Sequence, residues 1–357
     1  MKILYIGHAT PETTSRHRAD ALKRLGHEVI VSDPYAALTS HLSGRLRGAL
    51  HYRTGYRFLQ GAVRTFTDTL LRQHIHWPEV IWLDSGELFG YQAASALRQF
   101  GCPTVLYNID DPSGQRDGRR WGSLLSALPA YDLCTVVRTE NIAEFHAFGA
   151  RRIHRVWRSY DEIAHQSFDE LESIPTVFRS DVAFVGTWMR GEGRDEFLLA
   201  LIEGGLDIAI WGARWQKSPA WPKLRAHWRG PALAGRNYVA ALQGAKVALG
   251  FLSHGNRDLH TTRSAEIPYA GGLLCAERTV EHMAMYRDGE EAVFWNDADE
   301  CAAVCHKLLA DEALRMRIRR QGMERVRAGG YGNEAVCREI LMQLVLNQDT
   351  IAAAQQS

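Results

Sequence analysis

Short apolar runs alternate with helical stretches along the chain. KILYIG (2–7) is a buried-strand pattern that ends in Gly7. The polar loop HATPETT separates it from SRHRADALKRLG, where Ala19, Leu22 and Leu25 recur at helical spacing and Gly26 gives the stop. EVIVSD (28–33) is the next strand, so the chain opens with a βαβ unit. Residues 36–76 are mostly helical in pattern, with Leu42, Leu46, Leu50, Phe58, Val63, Phe66 and Leu70 as the apolar positions. VIWLD (80–84), TVLYNID (104–110), LCTVV (133–137) and IHRVW (153–157) read as further strands, with helices between them.

Periodicity lapses over 158–180 and then restarts. DVAFVG (181–186) again ends in Gly. LDIAIWG (206–212), KVALGFL (246–252), LLCAE and AVFW (292–295) follow as strands, separated by helices. Charged helices are expected at 297–310 and 311–327, and a last helix at 333–348. This predicts an α/β chain of two Rossmann-like, doubly wound domains: 1–160 first, a linker at 161–180, and 181–330 second. The C-terminal helix, 331–357, is expected to pack back on the N-terminal domain. Parallel sheets of this kind bind ligands at the carboxyl ends of their strands.

Composition narrows the classes. The 357 residues fit two domains, and 46% hydrophobic with 23% charged residues excludes a disordered chain. Lys plus Arg number 42 against 41 Asp plus Glu, so no global polyanion signal exists. No apolar run reaches the roughly 18–20 residues of a membrane span. MKILYIGHATPE turns polar too soon for a signal peptide, so a cytoplasmic protein is expected. Arg45, Arg47, Arg53, Arg57, Arg64 and Arg72 against Asp68 alone make 45–72 basic. That face suits solvent, peripheral contact with the inner membrane face, or an acidic polymer. The six cysteines show no CxxC pair, and no HExxH or Cys/His quartet is present, so no metal site is expected. Five of the ten Trp lie between 188 and 228, where some could stack on a base or a sugar.

GxGxxG is absent after the first strand, which argues against NAD despite Asp33 at the end of the second. Asp297-Ala298-Asp299 resembles a metal-binding DxD, but its place before a helix makes it an N-cap. The most informative segment is HTTRSAEIPYAGGLLCAERT (260–279), a loop and helix after KVALGFL. A helix start at Thr261, Thr262 and Arg263 presents unpaired N–H groups and a positive dipole to phosphate. Glu266 lies one turn on, on the same face, and a carboxylate there suits a ribose diol; an offset capping box is the plainer alternative. After DVAFVG, Gly186 lets backbone approach a ligand, with Thr187 and Trp188 beside it, and Gly212 closes the next strand in the same way. Arg194 could bracket a diphosphate from the other side, with Arg190 also in that loop. In the first half, His8, Asp110 and Asp111 end strands where a catalytic base would sit, or else serve as polar loop residues.

The second half resembles the glycosyltransferase-like domain of the spore-maturation CgeB group, within the GT-B glycosyltransferases. The resemblance lies in DVAFVGTW, GLDIAIWGARW, GPALAGRNYVAALQGAKVALGFL, TTRSAEIPYAGGLLCAERTVEHMAMYRDGEEAVFW and the DADE to MERV tail. SRHRADALKRLGHEV and NIDDP look like the companion N-terminal domain. The resemblance implies two domains facing each other across a cleft, with a nucleotide diphosphate sugar held mainly by the second. It implies Glu266 on the ribose, the 261–263 amides on the diphosphate, and sugar transfer without metal or other cofactor, with retention of configuration as the weaker implication. In related retaining enzymes a Glu stands seven residues before the ribose Glu. Here Leu259 holds that place, and His260 or Asp258 could substitute. The acceptor is not legible; glycan, protein, small molecule and nucleic acid all stay open. A nucleotide-sugar epimerase or hydrolase, and a degenerate non-catalytic nucleotide-sugar-binding module, are the alternative readings.

Overall fold

The computed structural model describes residues 1–355, with side chains described through Leu344. The chain divides into two units, broken after Trp157. The first contains β1 (Lys2–Ile6), β2 (Glu28–Ser32), β3 (Val80–Asp84), β4 (Thr104–Tyr107), β5 (Leu133–Val136) and β6 (Ile153–Arg155). They form a parallel sheet in the order β2-β1-β3-β4-β5-β6. Alternate residues feed two cores. Leu4, Ile6, Ile81, Leu83 and Leu106 bury on one face. Ile3, Tyr5, Val80, Trp82 and Val105 bury on the other. Strands buried on both faces read as unbroken apolar runs, which is why these were legible.

The second face is completed by the closing helix, Asn333–Gln355, whose Val336, Ile340, Leu341 and Leu344 join that core. Arg24 Nε lies 2.6 Å from Glu334, and Arg152 donates to the Gln343 carbonyl at 2.6 Å. The helix therefore belongs to the first unit, as do residues 255–257.

In the second unit, β7 (Ser180–Val185), β8 (Ile208–Trp211), β9 (Trp228–Gly230), β10 (Ala245–Gly250), β11 (Leu274–Glu277) and β12 (Val293–Trp295) form another parallel sheet. Its order is β12-β11-β10-β7-β8-β9. The edge strand β9 has three residues and pairs through an irregular register at Ile210 and Trp211; so short a strand leaves no periodic signal.

Two expectations differ from the structure. Residues 161–180 are not a free linker but part of the second unit. Ile174 is buried, Tyr160 just before them stacks on Tyr269 at 3.7 Å, and Phe168 N–H donates to Gln243 at 2.7 Å. The helical region 36–76 is broken into pieces, and its helix Arg45–Arg53 buries none of its residues: Leu46 is 87% exposed.

The first sheet carries a buried charge at the end of β3. Asp84 accepts from Arg18 Nε at 2.8 Å, and the Tyr5 hydroxyl lies 2.6 Å away. The Arg18 guanidinium also covers the Tyr107 ring at 4.2 Å. Both members of the ion pair are nearly inaccessible. Removing one partner of a buried pair strands the other, at a cost of about 3–5 kcal/mol. Asp84→Ala is therefore expected to lower unfolding free energy by that amount. Asp181→Ala, which removes an exposed partner of Lys246, should cost at most about 1 kcal/mol. Denaturant titration of the two variants checks the contrast.

Candidate functional site

In the second sheet the strand order reverses between β10 and β7. Chain crossing away on both sides of that seam leaves a crevice beyond the strand ends, where doubly wound sheets bind ligands. The loop after β7 and the loop after β10 meet there. Glu192, from the first, accepts from Ser253 Oγ at 3.0 Å and from His254 N–H at 2.8 Å. His254 in turn reaches Glu277 at the end of β11, at 2.8 Å.

The helix Thr262–Tyr269 starts at this edge. Its first turn is fixed by a buried relay. His282 Nδ1 sits 2.6 Å from the Glu277 carbonyl, which can only accept, so Nδ1 carries the hydrogen and Nε2 is an acceptor. The Ser264 hydroxyl then donates to Nε2 at 2.7 Å and accepts from Thr261 N–H at 3.0 Å. The reciprocal cap thus joins Thr261 and Ser264, not Thr262 and Glu266. It occupies the Thr261 amide and leaves those of Thr262 and Arg263 as the first-turn donors without a backbone acceptor among the described residues. The loop leading in is equally fixed: Asp258 pairs with Arg158 at 2.8 Å, and Thr279 Oγ1 donates to the Leu259 carbonyl at 2.6 Å.

Glu266 lies one turn in and is buried. It accepts from the Tyr238 hydroxyl at 2.5 Å, and His165 Nε2 is 3.7 Å from its other oxygen. Burial pushes the Tyr238 phenol well above its usual range, against the pull of Arg263, so it stays a donor. His165 Nδ1 accepts from Asp161 N–H at 2.8 Å, which turns its Nε2–H toward Glu266. Arg263 completes the group, 5.6 Å over the Tyr238 ring, with only long contacts of 3.3–3.4 Å to Thr262 Oγ1 and the Val185 carbonyl. A cation, two free amides and a pre-oriented carboxylate thus share one helix turn. Tyr238 and His165 carried no sequence signal: one reads as a helix residue, the other lies in the aperiodic stretch.

Gly186 and Gly212 serve each other. Gly212 has φ +150°, and a Cβ on it would overlap the Gly186 carbonyl. The Trp215 indole donates to that carbonyl at 2.9 Å, and the Trp228 indole donates to the Gly212 carbonyl at 3.1 Å. Trp188, Trp211 and Trp215 are buried, so these rings brace the strand ends from within rather than lie open for stacking.

Other candidates are bound up in the protein. Arg194 donates to the Thr187 and Leu252 carbonyls at 2.9 and 2.7 Å. It bridges the two loops and is turned to backbone. His260 is nearly inaccessible, with Nδ1 2.5 Å from Glu281 and Nε2 accepting from Arg158 N–H at 3.1 Å. With Asp258 paired to Arg158, neither residue is open to replace the carboxylate missing at Leu259. Asp297 caps its helix by accepting from Glu300 N–H at 2.8 Å. In the first unit Asp111 is clamped by Arg257 at 2.6 and 2.7 Å and by Asn141 at 2.9 Å. The Asp110 backbone carbonyl accepts from Arg138 at 2.7 Å. His8 stands at the β1–β3 switch point, partly exposed and stacked on Tyr35 at 5.3 Å. Cys275 joins Cys301 and Cys305, a grouping that no spacing in the chain signals. The three buried sulfurs lie within 4.8 Å of one another in the apolar core.

Two parallel six-stranded units, the second with a helix start aimed at its switch point, define the GT-B fold. Residues 193–341 match the family described as glycosyl transferase-like. Both that match and the fold are those of glycosyltransferases. It is similar to sucrose-phosphate synthase from Thermosynechococcus elongatus (14% identity, TM-score 0.67, 99% of this chain and 100% of that one covered). It is also similar to Anabaena HepE in complex with UDP and glucose (12%, 0.67, 97% and 99%) and to trehalose 6-phosphate synthase from Burkholderia multivorans (12%, 0.62, 100% and 98%). A search of curated protein sequences gave no match.

The relay has a pH signature. Burial above all, with His260 adding to it, lowers the His282 pKa to about 4, against an ordinary value near 6.5. Between these values the unfolded chain takes a proton that the folded chain refuses. Stability should therefore be intact above about pH 6.5 and fall as pH drops toward 4, by up to about 3 kcal/mol. His282→Gln should flatten this segment of the unfolding free energy against pH profile.

Proposed function

We propose that the chain transfers a sugar from a nucleotide diphosphate sugar, bound at the β7–β10 switch point of the second unit, to an acceptor. The observation that carries this is the first turn of Thr262–Tyr269. The Thr262 and Arg263 amides and the Arg263 guanidinium suit a diphosphate, and Glu266 one turn in suits a ribose diol. The leaving diphosphate gains negative charge as the glycosidic bond breaks. Donors fixed by the Ser264–His282 relay meet that charge without reorganising, which is where electrostatic catalysis acts. On this reading fixed positive groups take the place of a metal ion. Retention follows if the leaving phosphate accepts the acceptor's proton. If the reaction inverts, His8 is the base candidate with an accessible ring, since Asp111 is held by Arg257. The UDP and UDP-glucose complexes of HepE support uridine as the first base to try.

Glu266→Gln keeps an acceptor for Tyr238 but removes the charge that a ribose diol favours. Its affinity for UDP, by calorimetry, is expected to fall at least about tenfold, equivalent to ~1.4 kcal/mol, with the thermal midpoint little changed. GDP and dTDP titrations alongside identify the base. Unchanged affinity for whichever nucleotide binds would remove Glu266 from the site.

A further inference from the structure

We propose that the first unit binds a negatively charged saccharide, one bearing a carboxylate or a phosphate, in a cavity of about 580 Å³ between Arg57 and Arg119. Its role as the acceptor rests on the transfer reading above; its binding does not. The walls come from the turn at 54–60 and from the loops that follow β3 and β4, on the carboxyl side of the sheet. The volume is in the range that holds a small ligand.

Charge selects the ligand class. Two arginines line the cavity and no acidic residue does. Among the described residues neither guanidinium meets a carboxylate within ion-pair distance. The neighbouring Arg120 shows the contrast, since it is held by Glu87 at 2.6 Å and Asp117 at 3.2 Å. Glu87 and Asp117 are thus taken up by Arg120 and not by Arg119. Two forks that each fit a carboxylate or phosphate bidentately face one space.

The rest of the lining suits a sugar. Tyr91, 54% exposed, lines the cavity and supplies an aromatic ring of the kind that packs on sugar C–H groups, with Gln92 beside it for hydroxyls. Gly118 and Gly122 open their backbone to the cavity: a Cβ on either would meet nothing within 4 Å. Gly55 holds the wall together. Its φ is +62°, and a Cβ there would strike the Arg119 carbonyl, so the turn packs directly against the strand of backbone that carries Arg119.

The test titrates the full chain at low salt with glucuronate, glucose 6-phosphate and glucose. At least one charged probe is expected to bind at least tenfold tighter than glucose and to weaken as salt rises. Which one binds distinguishes carboxylate from phosphate. Arg57→Gln combined with Arg119→Gln should lower that affinity at least tenfold. Gly122→Leu, at a position whose φ and surroundings admit a side chain, should abolish it by filling the space. Nucleotide affinity should be the same in all variants. The proposal is overturned if glucose binds as well as both charged probes, if neither charged probe binds, or if the double variant keeps wild-type affinity. Loss of nucleotide binding in the double variant would also overturn it, as a global effect. If charged-sugar binding holds while no nucleotide binds the wild type, the donor reading fails and the cavity stands.

Discussion

The position of one helix start governs the second unit. Thr262–Tyr269 has eight residues and a proline inside it, so it has little intrinsic stability of its own. Its first turn is held by side chains from two other elements. The hydrogen bonds run in one direction, from Thr261 N–H to Ser264, from Ser264 to His282, and from His282 to the Glu277 carbonyl. Each member has one role, so the relay works only with His282 neutral, and burial against Phe294, 5.5 Å away, keeps it so. A buried polar chain that is fully satisfied specifies one geometry, and a half-satisfied one would not. This is how a short helix can aim its free amides at a fixed point.

The clustered tryptophans have the same logic. Strand ends crowded as closely as Gly186 and Gly212 leave no room for side chains, and their carbonyls would be orphaned in a dry interior. Indole N–H groups from Trp215 and Trp228 satisfy those carbonyls while their rings fill the volume. Arg194 does the same for the Thr187 and Leu252 carbonyls. Residues that looked ligand-directed in one dimension prove to be the internal bracing of the loops on which the free amides depend.

What was legible follows from range. Strands such as KILYI, VIWLD and AKVALG declare themselves because both faces are buried, and the helix start at 262 was visible from its position after β10. The Asp297 cap was legible because its partner, Glu300, is three residues away. The partners of Glu266 were not, since Tyr238 is 28 residues away and His165 lies in a stretch with no period. The grouping of Cys275 with Cys301 and Cys305 fails for the same reason: strand and helix meet only in three dimensions. A pattern shows which face a residue takes, while its partner is set by topology. The exposed Leu46 is the converse case, an apolar position at helical spacing whose helix buries no residue.

Net charge hides how the arginines are used. In the second unit, Arg315 donates to the Leu308 carbonyl and Arg319 to those of Gly271 and Gln243, at or just beyond the carboxyl ends of three helices. Helix dipoles are negative there, so these cations are compensated without any acid. Burial, with Arg315 nearby, lowers Arg319 to about 10, still charged at neutral pH. The cavity beside them, about 460 Å³, is lined by as many acidic as basic residues. Its charges cancel, and it has no reason to select an anion. Around Arg57 and Arg119 the balance is different, since among the described residues neither guanidinium is bonded to a carboxylate or to a carbonyl at a helix end. A chain with nearly equal numbers of acids and bases can therefore present a locally unbalanced, sugar-sized space. The imbalance arises from where each guanidinium is satisfied, not from how many there are.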